Sequence, residues 1–166
     1  MTLKEEVTDR RLLTRLEEIE LLASIVHVNR QLSLPPLDGD GGFLKVHTLD
    51  DYLVGLGRPD DDANNTFTGR LLLMLESKPI FGEVVYNHIM RECIQRYWID
   101  FAGHKDSFLP AFLMNDILRF WRTLCVNYEA GEARDPAKRR AKNFKLKFSR
   151  LLTCFSALIG LQAEFE

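Results

Sequence analysis

The sequence predicts an all-α protein, a single-domain bundle of five or six mostly antiparallel helices. Three observations predict it. Apolar residues recur at spacings of three and four in the segments between breakers. The breakers, in "SLPPLDGDGG", "RPD", "SKP", "AGHKDSFLP" and "GEARDP", leave short connections with one exception. Sustained alternation of polar and apolar residues does not occur, and residues 43–46 are the one candidate for extended chain.

Residues 3–32 read as a long helix, with Leu12, Leu16, Ile19, Leu22 and Val26 on one face and charges between them. Prolines and glycines make residues 33–47 the one substantial loop. The bundle then runs from 48 to 161. Thr48 opens a short helix, "TLDDYLVGLG", with Asp51 at the capping-box position and Gly57 as a stop. "RPDDDANN" is a turn and helix entry leading into "TFTGRLLLMLESK". Pro79 separates that helix from the next, in which Val85, Ile89, Cys93 and Tyr97 lie four residues apart. "AFLMNDILRFWRTLCVNYEA" and a last helix from about 137 to 161 complete the chain. No internal repeat is present.

Composition narrows the class. A chain of 166 residues is long enough to bury a core, and its 46% hydrophobic and 28% charged residues are ordinary for a folded soluble domain. Its apolar runs are too short to span a bilayer, and "MTLKEEVTDRR" lacks the apolar region of a secretory signal. Cys93, Cys125 and Cys154 are far apart and sit in apolar helical patterns. They read as buried thiols, and the expected location is cytoplasmic. The net charge of −2 hides an asymmetry, because seven basic residues fall between Lys138 and Arg150 and no acid lies between Asp135 and Glu164.

Motifs for chemistry are weak. Asp38 and Asp40 form a D-x-D, but a calcium loop would need a glutamate where Leu49 stands, and no strand fixes the carboxylates. The pair reads as a solvated turn. Four dispersed histidines, at 27, 47, 88 and 104, do not make a zinc site. A nucleophile elbow and a phosphate-binding P-loop are both missing. In helical ribonucleases of the HEPN kind an arginine and a histidine lie four to six residues apart; here seven residues, Gly103 among them, separate Arg96 from His104.

The basic residues are more informative. In "NDILRFWRTLCVNYE", Leu113, Ile117, Phe120, Leu124 and Tyr128 make one apolar stripe, with Asp116, Arg119, Thr123 and Asn127 on a neighbouring face and Arg122 close by. A structural account pairs Arg119 with Asp116 and with an acid on another helix. A functional account adds the last helix, "AKNFKLKFSRLL", whose cations crowd its first half, where the helix dipole favours anions. Brought together, the two helices would form a basic cleft for phosphate or an acidic partner. Trp98 and Trp121 lie in apolar patterns and are expected in the core, which argues against RNA stacking.

Three phrases, "NTFTGRLLLMLESKPIFG", "FLMNDILRFWRTLCVNYE" and "KNFKLKFSRLLTCFSAL", resemble the C-terminal helical half of uncharacterised bacterial nucleotidyltransferase-like proteins, from about Gly41 to Leu161. In that family a separate α/β core, with a Gly-Ser turn and a D-x-D on a strand, binds the metals and the triphosphate. This chain has no Gly-Ser dipeptide, so the resemblance covers only the accessory part. It implies a non-catalytic domain that helps hold a nucleotide or acceptor through Asn115, Asp116, Arg119, Arg122, Lys142, Lys147 and Arg150. It implies no cofactor in this chain, and Mg2+ with a nucleoside triphosphate only where a catalytic partner core supplies their site. The alternative is a protein- or RNA-interaction module that uses the basic last helix. Neither reading involves a membrane.

Overall fold

The computed structural model describes residues 13–37, 44–130 and 136–165, and among them every regular element is a helix. The chain divides into two compact units, Met1–Leu49 and Asp50–Glu166. Asp38 and Asp40 lie outside the described residues, and residues 44–46 are irregular.

In the first unit α1 spans Arg15–Gln31. Thr14 caps its first turn, where Thr14 and Glu17 close a capping box. The Glu17 backbone N–H donates to the Thr14 hydroxyl at 3.3 Å, and the Thr14 N–H donates to the Glu17 carboxylate at 2.7 Å. The expected turns over residues 3–12 lie outside the described residues. No residue of α1 is buried.

The second unit holds α2 (Leu49–Val54, whose first residue belongs to the other unit), α3 (Pro59–Ala63), α4 (Thr66–Glu76), α5 (Glu83–Tyr97) and α6 (Ala111–Ala130). A last helix runs on from α7 (Pro136–Phe144) through a π-helical segment, Lys145–Arg150, into α8 (Leu151–Phe165). With that run counted once and the one-turn 3-10 helix at Phe101–Gly103 left aside, the described residues hold seven helices, and the one beyond the expected six is the short α3 inside "RPDDDANN". Pro59 starts it, since a first-turn proline gives up no helical hydrogen bond. Asn65, at φ 58°, then turns the chain into α4 in the left-handed conformation that asparagine tolerates.

The core lies among α4, α5, α6 and α8. Phe67, Leu71, Tyr97, Leu113, Ile117, Phe120 and Cys154 are buried together. Trp98 and Trp121, expected in the core, pack against it only half-buried. Cys93 and Cys154 are buried free thiols, whereas Cys125 is only half-buried. Gly69 allows α2 to approach α4, because a Cβ there would sit 3.3 Å from the Tyr52 ring.

Burial makes this fold sensitive to alkali. It pushes the Cys154 thiol up to about 11 and the Tyr52 hydroxyl up to about 12, and it raises Tyr97 further. In the unfolded chain cysteine ionises near about 8.5 and tyrosine near about 10. Above those values the unfolded state loses protons that the folded state keeps, so stability falls as pH rises. The urea midpoint is expected to hold from pH 7 to 8, decline above about 8.5 and drop more steeply above about 10. A midpoint unchanged at pH 11 would contradict these assignments.

Candidate functional site

Three groups of polar or exposed side chains stand out in the second unit, and the first surrounds Arg70. Its α4 neighbours from Thr66 to Leu75 are uncharged, and it is completely buried with Asp61 beside it. The short α3 aims Asp61 inward, and Thr66 fixes it by donating its hydroxyl to the Asp61 carboxylate at 2.8 Å. The guanidinium grips both Asp61 oxygens, with Nη1 to Oδ1 at 3.0 Å and Nη2 to Oδ2 at 2.5 Å. Nη1 also donates to the Tyr52 carbonyl at 2.9 Å, and Nε to the Tyr97 hydroxyl at 3.1 Å. Tyr97 donates its own hydroxyl hydrogen bond to the Asp116 carboxylate at 2.8 Å. One chain of hydrogen bonds thus ties α2, α3, α4, α5 and α6 together. Burial opposes the charge on Arg70, but the hydrogen bonds to Asp61 and Tyr97 and their nearby charge overcome it and leave the guanidinium firmly protonated. Burial also raises the Asp116 carboxyl, against the pull of Tyr97, Arg70 and Arg119.

The second group is a shallow concavity of about 310 Å3 between α3 and α6, lined by Asp62, Arg119, Arg122, Thr123 and Val126. Arg119 donates to the Asp62 carboxylate, and its guanidinium lies 4.0 Å from the Phe67 ring centroid. The acid expected on another helix is therefore Asp62. The expected pairing with Asp116 is loose at 3.8 Å, because Asp116 turns its other oxygen to Tyr97. Arg122 is exposed at the rim.

The third group is the last helix. Phe144, Phe148, Leu152, Phe155 and Ile159 follow one another at spacings of four, four, three and four, and each is between 39% and 66% exposed. Phe144 and Phe148 stack with ring centroids 4.7 Å apart. Lys142, Lys145 and Lys147 are exposed around them. Beyond the stripe, Cys154, Leu158 and Leu161 on the opposite side of α8 face the core.

The residues expected to bind an anion are divided among these groups. Arg119 and Arg122 share the concavity, and Asp116 belongs to the buried network. Asn115, Lys142 and Lys147 are exposed, and no lysine of the last helix lines the concavity. Arg150 is 3.7 Å from Glu76 on α4. The sequence reading overlooked Arg70 and Asp61. A single charge in "TFTGRLLLML" is a signal for Arg70, but nothing distinguishes Asp61 within "DDD". Among the described residues no three His, Cys, Asp or Glu side chains cluster to hold a metal ion, and no helix is long and apolar enough to cross a membrane. No family model, curated protein or solved structure matches the chain.

Proposed function

We propose that this protein is a non-catalytic interaction module that docks an acidic amphipathic helix onto its last helix. The exposed stripe Phe144, Phe148, Leu152, Phe155 and Ile159 is the observation that carries this reading. Single exposed apolar residues are common on any surface, but five in helical register form the seam of a helix–helix contact. The lysines beside its first half select a partner with acids at the matching end. Nucleic acid fits less well, because the stripe continues through Leu152, Phe155 and Ile159 with no cation from 151 to 166. Phe144 and Phe148 also stack on one another, and a base would have to part them.

The probe is a labelled synthetic helix with leucines at alternating spacings of four and three and glutamates between, followed by fluorescence anisotropy. The parent is expected to bind it, and Leu152→Lys with Ile159→Lys to weaken binding by about tenfold or more, about 1.4 kcal/mol, with a near-parent unfolding midpoint. Equal binding by parent and variant would overturn the proposal. Failure of the peptide, with polyuridylate bound through Lys142 and Lys147, would transfer the function to nucleic acid.

A further inference from the structure

We propose that the concavity between α3 and α6 binds a free α-amino acid, with its carboxylate on Arg122, its ammonium on Asp62 and an aliphatic side chain on Val126. The site shares no residue with the apolar stripe of the last helix, so it goes beyond the docking role.

Its charged groups are held in advance. Asp62 follows Asp61, which Arg70 grips with two hydrogen bonds, and this ties the short α3 to α4. Arg119 is pinned between the Asp62 carboxylate and the Phe67 ring. That bond uses one Asp62 oxygen, Oδ2. The other, Oδ1, accepts no hydrogen bond among the described residues, and the side chain is exposed. Arg122 stands one turn beyond Arg119 on α6, where neighbours three residues apart lie side by side. Among the described residues Arg122 has neither an ion pair nor a hydrogen bond, and its planar fork suits a carboxylate. Val126, exposed a further turn along, supplies an apolar platform.

The lining selects a ligand that carries both charges. Arg119 is already paired with Asp62, and a second carboxylate, Asp116, lies 3.8 Å from it. Arg58 and Asp60 are both exposed at the start of α3 and offset one another, and Glu129 stands two turns beyond Arg122. A bare anion would therefore find one unpaired guanidinium with the Asp62 carboxylate close by, and a bare amine would find Asp62 with Arg122 close by. An α-amino acid bears its ammonium and carboxylate on one carbon, so it answers both groups without breaking the Arg119–Asp62 bond. The concavity, about 310 Å3, has room for a side chain of leucine size.

The test follows the nitrogen–proton correlation spectrum of the labelled full chain during titration with L-leucine. The backbone amides of Asp62, Thr123 and Val126 and the Arg122 Nε–H are expected to shift together and saturate in the millimolar range, as an open site of few contacts allows. Isocaproate, which lacks the ammonium, and isopentylamine, which lacks the carboxylate, should each bind about tenfold more weakly, since each loses a charge-assisted hydrogen bond. In Asp62→Asn leucine should lose its advantage over isocaproate, and in Arg122→Gln its advantage over isopentylamine. Both side chains are exposed, so both variants should melt near the parent. Leu152→Lys with Ile159→Lys, which removes the docking stripe, should bind leucine as the parent does. Absence of saturable shifts with leucine, or an advantage that survives either substitution, would overturn the inference. Tighter binding of inorganic phosphate than of leucine would replace it with a plain anion site.

Discussion

Replacing Arg70 by methionine is expected to lower stability by about 3–5 kcal/mol, enough to unfold a large share of the chain at moderate temperature. The side chain is 0% exposed, and Asp61, which it grips with two hydrogen bonds, is 1% exposed. Methionine fills much of the same volume, so packing accounts for little of the loss. The larger part comes from the charge left behind, because the Asp61 carboxylate would remain buried without the guanidinium and keep the Thr66 hydroxyl as a neutral donor. Tyr52 would lose the donor to its carbonyl, and Tyr97 the donor to its hydroxyl. A companion variant separates the two contributions. Arg70→Met combined with Asp61→Leu removes both charges and should recover much of the loss, since an apolar replacement of a whole buried pair is often neutral. The measurement is the urea midpoint of each variant. A single variant within about 1 kcal/mol of the parent would mean that the pair is not a strut.

The second large effect is expected at Phe120, whose truncation to alanine should cost about 3–5 kcal/mol. Its ring is 0% exposed on α6 and belongs to the cluster that contains Phe67 and Leu71 of α4 and Cys154 of α8. Removing it empties the junction of three helices, whose backbones are held by their other contacts and close the gap only in part. Leu118, on the same helix but 46% exposed, is the control and should lose less than about 1 kcal/mol as alanine. Equal losses at the two positions would show that the core had been wrongly placed. Both predictions concern the scaffold, and neither alters the exposed stripe of the last helix, so the docking experiments can be read independently of them.

The helices themselves were legible because they rest on local causes. The apolar period, Pro79 and the glycine-rich breaks limit each element within a few neighbouring residues, and Gly57 takes a positive φ of 78° just after α2, where a stop was expected. The stripe of α6 was legible for the same reason, with Leu113, Ile117 and Phe120 all buried. The start of α1 is less local: the apolar pattern runs on upstream of Thr14, while the capping box at Thr14 depends on two side chains meeting.

The site was less legible, because charge has no period. On α6 the sequence places Asp116 and Arg119 side by side, which suggests a pair. The fold gives each a better partner from another element, Tyr97 for Asp116 and Asp62 for Arg119. Arg70 and Asp61 lie nine residues apart and reveal nothing until α3 folds back against α4. The seven cations between Lys138 and Arg150 were plain in the sequence, but not that Arg150 lies near Glu76 while Lys142 and Lys147 face solvent.

By itself, then, the sequence determined the all-helical class, most of the helix limits, the apolar stripe of α6 and the basic block of the last helix, since each follows from residue type and spacing along one segment. Tertiary structure alone decided which charges are buried, which partner each one takes and which of two apolar faces on the last helix meets the core. Those outcomes depend on distances between segments far apart in the chain, and no local pattern encodes such distances.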